Sequence, residues 1–328
     1  MSSSAPTDGP VATVQRSALV GTAAYLTASM MWGMNLPLSS ALLKQFDPFF
    51  VSPMRYVVAS ALLGLMLVLS LGPRQLRSPI PLWRVAVLSL CVTGFLTFYN
   101  LGLYLTHPMT VAALSAGTPV YVAVVSRVMT GARLERGFWG ATLLTLIGAG
   151  IAIQGRAQAG GASLGAALSL QGGELLVVLG ICSWTTYSIL AQRWFTADTT
   201  QLRRTYLTTI GALPWLLLFW IIARATGLAG SPNLHPSSLT VIQLLVAAVC
   251  CTALATVAWN TGVSRLGIQT GGMWQNTVPV FAVLISLLFF DVQPLAEQMI
   301  GGAVVLVGVL YMQWQRARSA ARPEVRPA

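Results

Sequence analysis

From Val85 to Ser126 the chain carries no Asp, Glu, Lys or Arg. Wound as helix at ~1.5 Å per residue, that run is about twice as long as a ~30 Å hydrocarbon layer is thick. A second uncharged stretch covers 225–264, and shorter apolar runs occupy 17–43, 56–73, 137–155, 175–192, 205–223, 266–290 and 298–315. A soluble domain has no use for so much continuous apolar surface. Charged residues make up 8% of the chain, against roughly 25% in soluble domains. The pattern therefore predicts an all-α polytopic membrane protein.

Turn residues and charges cut the chain into ten expected spans, at 18–40, 48–72, 82–106, 108–130, 136–155, 172–194, 200–224, 239–264, 268–290 and 295–315. Asp47-Pro48 opens the second and His107-Pro108 the fourth, as helix N-terminal signals do. An even number of spans puts both termini on one side. If that side is the cytoplasm, 15 of the 19 Lys and Arg residues fall inside, leaving Lys44, Arg55, Arg156 and Arg224 outside. The net charge of +11 is thus a topology signal and not a nucleic-acid surface. The expected organisation is a disordered cytosolic tail (1–16), a first five-helix unit (17–155), a periplasmic linker (156–170), a second five-helix unit (171–316) and a cytosolic tail (317–328). Cys91, Cys182, Cys250 and Cys251 all lie inside spans, with no disulfide or metal spacing, so neither a metal nor a cofactor is expected.

Shifting the chain by 160 residues lays 91–131 on 251–291 without gaps. Cys91 meets Cys251, Asn100 meets Asn260, Gly102 meets Gly262, Thr110 meets Thr270, Pro119 meets Pro279, Val120 meets Val280 and Ser126 meets Ser286. Tyr99 falls on Trp259 and Tyr121 on Phe281. Five spans per unit is odd, so the second unit enters the membrane from the opposite side. Inverted repeats of this kind build carriers whose site lies at the shared interface, near the midplane.

With "WGMNLPLSS" (32–40), "PMRYVVASALL" (53–63), the 99–126 run and its echo at 259–286, the chain resembles the drug/metabolite transporter superfamily, in particular its ten-helix EamA-type branch. The likeness spans about residues 18–315 and is greatest to bacterial exporters of amino acids and related metabolites, aromatic amino-acid exporters included. It implies a monomeric, multi-pass carrier in the bacterial inner membrane, exporting aromatic or large neutral amino acids. A proton-coupled drug/metabolite exporter, or an importer of the same fold, is the alternative. The superfamily's four-helix multidrug branch relies on a glutamate in its first helix. The first span here has no acid, so that mechanism does not transfer.

Polar groups inside a bilayer face a cavity or another helix. Asn100 and Asn260 are therefore expected to line one pathway from opposite sides of the midplane; interhelical bonds that only glue helices are the competing explanation. Trp32, Trp184, Trp259 and Trp274 form a second set. Trp32 and Trp184 lie too deep for an interfacial belt, and each has a polar partner three residues on, Asn35 and Tyr187. Ser115, Gln275 and Asn276 offer hydrogen bonds to a zwitterion. Pro37, Pro119, Pro214 and Pro279 interrupt spans and are candidate flex points, or static kinks. Arg55 sits inside the second span. It either meets a substrate carboxylate or is held by backbone and snorkels. Asp47, Glu174, Asp291 and Glu297 fall near outer span ends, and His107 and His235 at the outer surface. With no titratable group at mid-depth, facilitated export is expected. An intramembrane enzyme would need a ligand cluster or a nucleophile–base pair that the sequence lacks. A channel or receptor would leave the repeat unexplained.

Overall fold

The computed structural model describes residues 10–106, 108–159, 171–230, 233, 235–290 and 293–320. They form thirteen α-helices: α1 (Pro10–Leu42), α2 (Pro48–Leu71), α3 (Leu82–Leu105), α4 (Pro108–Ala116), α5 (Thr118–Thr130), α6 (Phe138–Ala159), α7 (Glu174–Trp194), α8 (Gln201–Ala225), α9 (Ser238–Val246), α10 (Ala255–Leu266), α11 (Ile268–Gln275), α12 (Val278–Phe290) and α13 (Ala296–Ala320). A 3₁₀ turn, Pro73–Leu76, precedes α3, and a π-helical stretch, Ala247–Leu254, joins α9 to α10. No strand occurs among the described residues.

Among the described residues, eight helical spans are long and apolar enough to cross a membrane: α2, α3, α6, α7, α8, α9 with α10, α11 with α12, and α13. The pair α4–α5, bent by 50°, would make a ninth. The ten-span expectation is thus met in eight or nine elements. The remaining one, α1, is 33 residues long but dilutes its apolar residues with Thr22, Thr27, Ser29, Asn35, Ser39 and Ser40. Several expected boundaries need correction. Helix α1 already begins at Pro10, inside the segment expected to be a tail; α6 runs on to Ala159 and α13 to Ala320. The rest of the linker (160–170), the outermost tails (1–9, 321–328), His107 and Asp291 lie outside the described residues.

The packing inverts the soluble pattern. Large apolar side chains point outward, with Leu69, Leu82, Val128, Leu288 and Phe289 all more than 70% exposed. Small hydroxyl residues are turned inward, among them Ser89, Thr145, Thr185, Ser188, Thr205 and Thr270. In lipid, apolar burial drives little association, so close backbone approach has to supply the contact. Glycines permit it. A Cβ on Gly148 would stand 2.5 Å from the Gly301 carbonyl, pinning α6 to α13. One on Gly173 would stand 2.4 Å from the Gly102 carbonyl, pinning α7 to α3. The helix starts follow local chemistry. Asp47 caps α2 through Phe49 N (2.8 Å), Thr200 caps α8 and Ser237 caps α9.

The elements recur along the chain at the offset of the sequence echo: α4 and α5 correspond to α11 and α12 residue for residue at their starts. The breaks between them meet in space. Asn276 Nδ2, at the end of α11, donates to the Ala116 carbonyl, at the end of α4 (3.1 Å), and the two residues are 160 apart. Ala116 and Asn276 are equivalent positions in the sequence echo.

Candidate functional site

The centre of the bundle is aromatic. Trp32 on α1, Trp184 on α7 and Trp259 on α10 form a triangle with ring centroids 5.7, 5.3 and 6.1 Å apart. Tyr187 packs on Trp184 (5.1 Å), Phe95 of α3 on its other side (5.3 Å), and Tyr25 on Trp259 (5.2 Å). Tilted and edge-on pairs of this kind contribute about 0.5–1.5 kcal/mol each beyond area burial. Four helices far apart in sequence are tied together by this one cluster.

A polar network borders it. Trp259 Nε1 donates to Ser188 Oγ (3.0 Å). Asn260 Nδ2 donates to both Tyr187 Oη and Thr205 Oγ1, each at 2.9 Å. Tyr187 Oη in turn lies 3.4 Å from Thr208 Oγ1. Asn260 is 1% exposed, yet its Oδ1 has no hydrogen-bond partner in the protein, and neither has Trp184 Nε1 or Trp274 Nε1. A buried polar atom left unpaired costs about 1–3 kcal/mol, so an acceptor and two donors kept that way call for an explanation. The cluster holds no charged side chain. Arg204 spends each of its guanidinium nitrogens within the protein: Nε with the Thr199 carbonyl, Nη1 with Gln192 Oε1 and Nη2 with the Thr196 carbonyl.

The expected residues divide into groups. Trp32, Trp184, Tyr187, Trp259 and Asn260 come together. Tyr99 and Ser115 bond to each other (3.2 Å), with Tyr99 reaching the cluster through Phe95 (5.6 Å). Asn35 stays within α1, accepting from Ser39 Oγ (3.3 Å). Trp274 is buried in the same core, Gln275 is half-buried, and Asn276 serves the contact between the two helix breaks. Asn100 lies apart. It lines a separate void of about 10 Å³ with Ser52, Leu96 and Leu216, and its amide reaches Ser52 Oγ only at 3.5 Å.

The prolines differ in kind. Pro37 and Pro214 are interior to α1 and α8. Pro119 and Pro279 fall in the first turns of α5 and α12, where a missing N–H costs no helix bond. There they mark new helix starts after breaks and do not kink a continuous helix. Arg55 is engaged by the π-helical segment: Nε and Nη2 both meet Thr252 Oγ1 (3.0 and 2.8 Å), and Nη2 meets the Ala247 carbonyl (3.3 Å). Sequence reasoning missed Tyr25, Phe95, Ser188, Thr205 and the buried Arg204. The first two occupy the same helices as Trp32 and Tyr99, about two and one turns away, which was the available signal.

A second constellation lies at the end of the bundle where α5 leads to α6. Arg316 Nη1 bonds the Leu266 carbonyl and Thr270 Oγ1 and stands 3.6 Å from Glu135 Oε1. Gln269 joins in, accepting from Glu135 N (3.2 Å) and donating to the Arg133 carbonyl (3.2 Å). Burial pushes the Glu135 carboxyl above its usual range, with the Arg316 charge opposing. Among the described residues no three His, Cys, Asp or Glu side chains gather as a metal site would require.

A lipid-facing apolar exterior, hydroxyl-lined helix contacts and a central aromatic cluster define a helical, multi-pass membrane protein. The chain belongs to the EamA-like transporter family, which matches residues 19–154 and 171–314. It is similar to the uncharacterized transporters YyaM and YrdR of Bacillus subtilis (strain 168). YyaM is 24% identical over 86% of this chain and 90% of that protein; YrdR is 23% identical over 89% and 90%. A more distant likeness is to a biotin transporter of Salmonella typhimurium, 26% identical over 62% of this chain and 64% of that one. A protein of known crystal structure shares the fold, with TM-score 0.72, 20% identity and coverage of 94% of this chain and 99% of the other.

Proposed function

We propose that this transporter is an alternating-access exporter of aromatic or large neutral amino acids and related metabolites, acting as a monomer in the bacterial inner membrane. The reading takes α1, the bent pair and the eight clear spans as ten crossings, in two five-helix units of opposite orientation with both termini cytoplasmic. The family match in two segments, the recurrence of elements and the Asn276–Ala116 contact support two units. The distribution of arginines supports the orientation.

One observation carries the substrate class: the Trp32–Trp184–Trp259 cluster borders a buried acceptor, Asn260 Oδ1, and a buried donor, Trp184 Nε1, neither of which has a protein partner. Aromatic walls suit a flat apolar side chain, and ring faces also attract an ammonium group. Asn260 Oδ1 would accept from that ammonium and Trp184 Nε1 would donate to the carboxylate. The cluster holds no acid to carry a proton, which favours facilitated diffusion down the substrate gradient. The test is purified protein in liposomes given labelled tryptophan, phenylalanine, leucine and, because of the Salmonella relative, biotin. Saturable movement of the aromatic amino acids that survives a proton uncoupler is expected. Transport of biotin alone, or transport abolished by the uncoupler, would replace this reading with a vitamin carrier or a proton-coupled one.

A further inference from the structure

Away from the aromatic cluster, a groove lies where the α2–α3 connection meets α8. It measures about 630 Å³, within the ~300–1,000 Å³ of small-molecule sites. Leu76, Ile80, Leu82, Val85, Leu207 and Ile210 supply its walls, and Arg77 stands at its edge. Leu82 and Ile210 are themselves exposed on the lipid-facing surface, so the groove opens toward the bilayer.

Two observations set its depth and its charge. Trp83, next in the chain to the groove residue Leu82, packs edge-on at 5.5 Å on Trp194 and is 58% exposed; paired tryptophans at helix ends mark the headgroup level. The Arg84 guanidinium lies over both rings, 5.3 and 5.7 Å from their centroids. Arg74 and Arg77 are exposed on the same connection, and Arg203 reaches it by donating to the Arg77 carbonyl (2.7 Å). The Nε atoms of Arg84 and Arg203 are buried without a hydrogen-bond partner. Against Arg74, Arg77, Arg84 and Arg203 this corner offers one acid among the described residues, Asp198, which Arg204 also faces. The other described acids are held elsewhere: Asp47 at Gly230, Glu135 at Arg316, Glu174 at Thr106 and Glu297 at Gly155.

We propose that this groove is a binding site for an anionic phospholipid, its phosphate held by Arg77, Arg84 and Arg203 and one acyl chain lying along Leu82, Val85, Leu207 and Ile210. An apolar trough that opens into the bilayer beneath a cationic rim complements an anionic headgroup and its tail together. Basic pockets between helices at headgroup depth bind such lipids for this reason. The site is separate from the aromatic cluster and does not depend on which substrate the protein carries.

The test is native mass spectrometry of the full-length protein in detergent, titrated with phosphatidylglycerol or with phosphatidylcholine bearing the same chains. The wild type should retain phosphatidylglycerol preferentially. Arg77→Gln and Arg203→Gln should each weaken that lipid by roughly fivefold and leave phosphatidylcholine unchanged. Ile210→Trp, which fills the groove from its lipid-exposed side, should reduce retention of both. Equal retention of the two lipids by the wild type would overturn the proposal without any variant. So would an unchanged phosphatidylglycerol preference in the Arg77→Gln/Arg203→Gln protein, or undiminished retention by Ile210→Trp.

Discussion

Trp184 touches Trp32, Trp259, Tyr187 and Phe95 at once, yet its indole nitrogen bonds to nothing in the protein. Packing and hydrogen bonding can therefore be separated there. Trp184→Phe keeps a ring in the cluster, removes the donor and gives up part of the indole's volume. Its thermal midpoint should fall less than that of Trp184→Ala, while the half-saturating amino-acid concentration in liposomes rises severalfold. Trp184→Ala should instead destabilise by about 3–5 kcal/mol, the ordinary cost of emptying an aromatic site. The two amides also separate. In the sequence Asn100 and Asn260 look equivalent, each preceded by an aromatic residue and 160 positions apart. In the structure Asn260 bonds two hydroxyls at 2.9 Å, whereas Asn100 reaches one at 3.5 Å. Asn260→Ala should cost about 1–3 kcal/mol by removing the donor shared by Tyr187 and Thr205, and Asn100→Ala within about 0.5 kcal/mol. Thermal unfolding in detergent measures both. Residue type revealed that the amides lie inside the membrane; only the packing of α2, α7 and α8 around them decides how tightly each is held.

At the scale of elements, apolar runs and turn residues located nearly every helix, because a span must satisfy its own backbone hydrogen bonds in lipid and so announces itself locally. What stayed hidden was the internal geometry of two spans. The break at Gly117 is a backbone turn within one apolar run. The π-helical stretch Ala247–Leu254 has the composition of an ordinary helix, so no periodicity distinguishes it. What marks it is side-chain contact, partly from another element: Arg55 of α2 and Thr252 Oγ1 of the stretch itself both bond the Ala247 carbonyl. Thr252→Val should destabilise the protein by about 1–3 kcal/mol, and Arg55→Lys should do so too, since an ammonium cannot make the forked contact. The latch between the α5–α6 loop and α13 yields a pH prediction. Burial raises the folded-state Glu135 carboxyl above its unfolded value, so the folded form binds the proton more tightly. The stability this contributes is full below the unfolded value of about 4.3 and is lost as pH rises through the raised one. The thermal midpoint should therefore fall across that window, and Glu135→Gln should flatten the slope.

At the scale of the whole molecule, the two halves proposed above as repeats make unequal contacts, and the difference itself makes a prediction. Aligning Trp32 with Trp184 places Asn35 on Tyr187; aligning the helix caps Asp47 and Thr200 places Ser52 on Thr205. The pairing of Asn260 with Tyr187 and Thr205 thus has a counterpart in Asn100 with Asn35 and Ser52. The first is formed at 2.9 Å. In the second, Asn100 only touches Ser52 and Asn35 is bonded within its own helix. In a carrier built from inverted repeats, the opposite-facing state follows when the two units exchange conformations. That state should loosen Asn260 and draw Asn100 onto Ser52 and Asn35. Thr205→Val should then lower the thermal midpoint of the state described, whereas Ser52→Ala should leave it nearly unchanged. Both should slow transport, because each removes a contact from one end of the cycle. Asn100→Ala, nearly silent in stability, should slow it as well. Exchange rates in liposomes, measured beside thermal midpoints for the same variants, decide the matter. If Ser52→Ala and Asn100→Ala transport at the wild-type rate, the two amides do not alternate, and Asn100 is only a weak tie between α3 and α2.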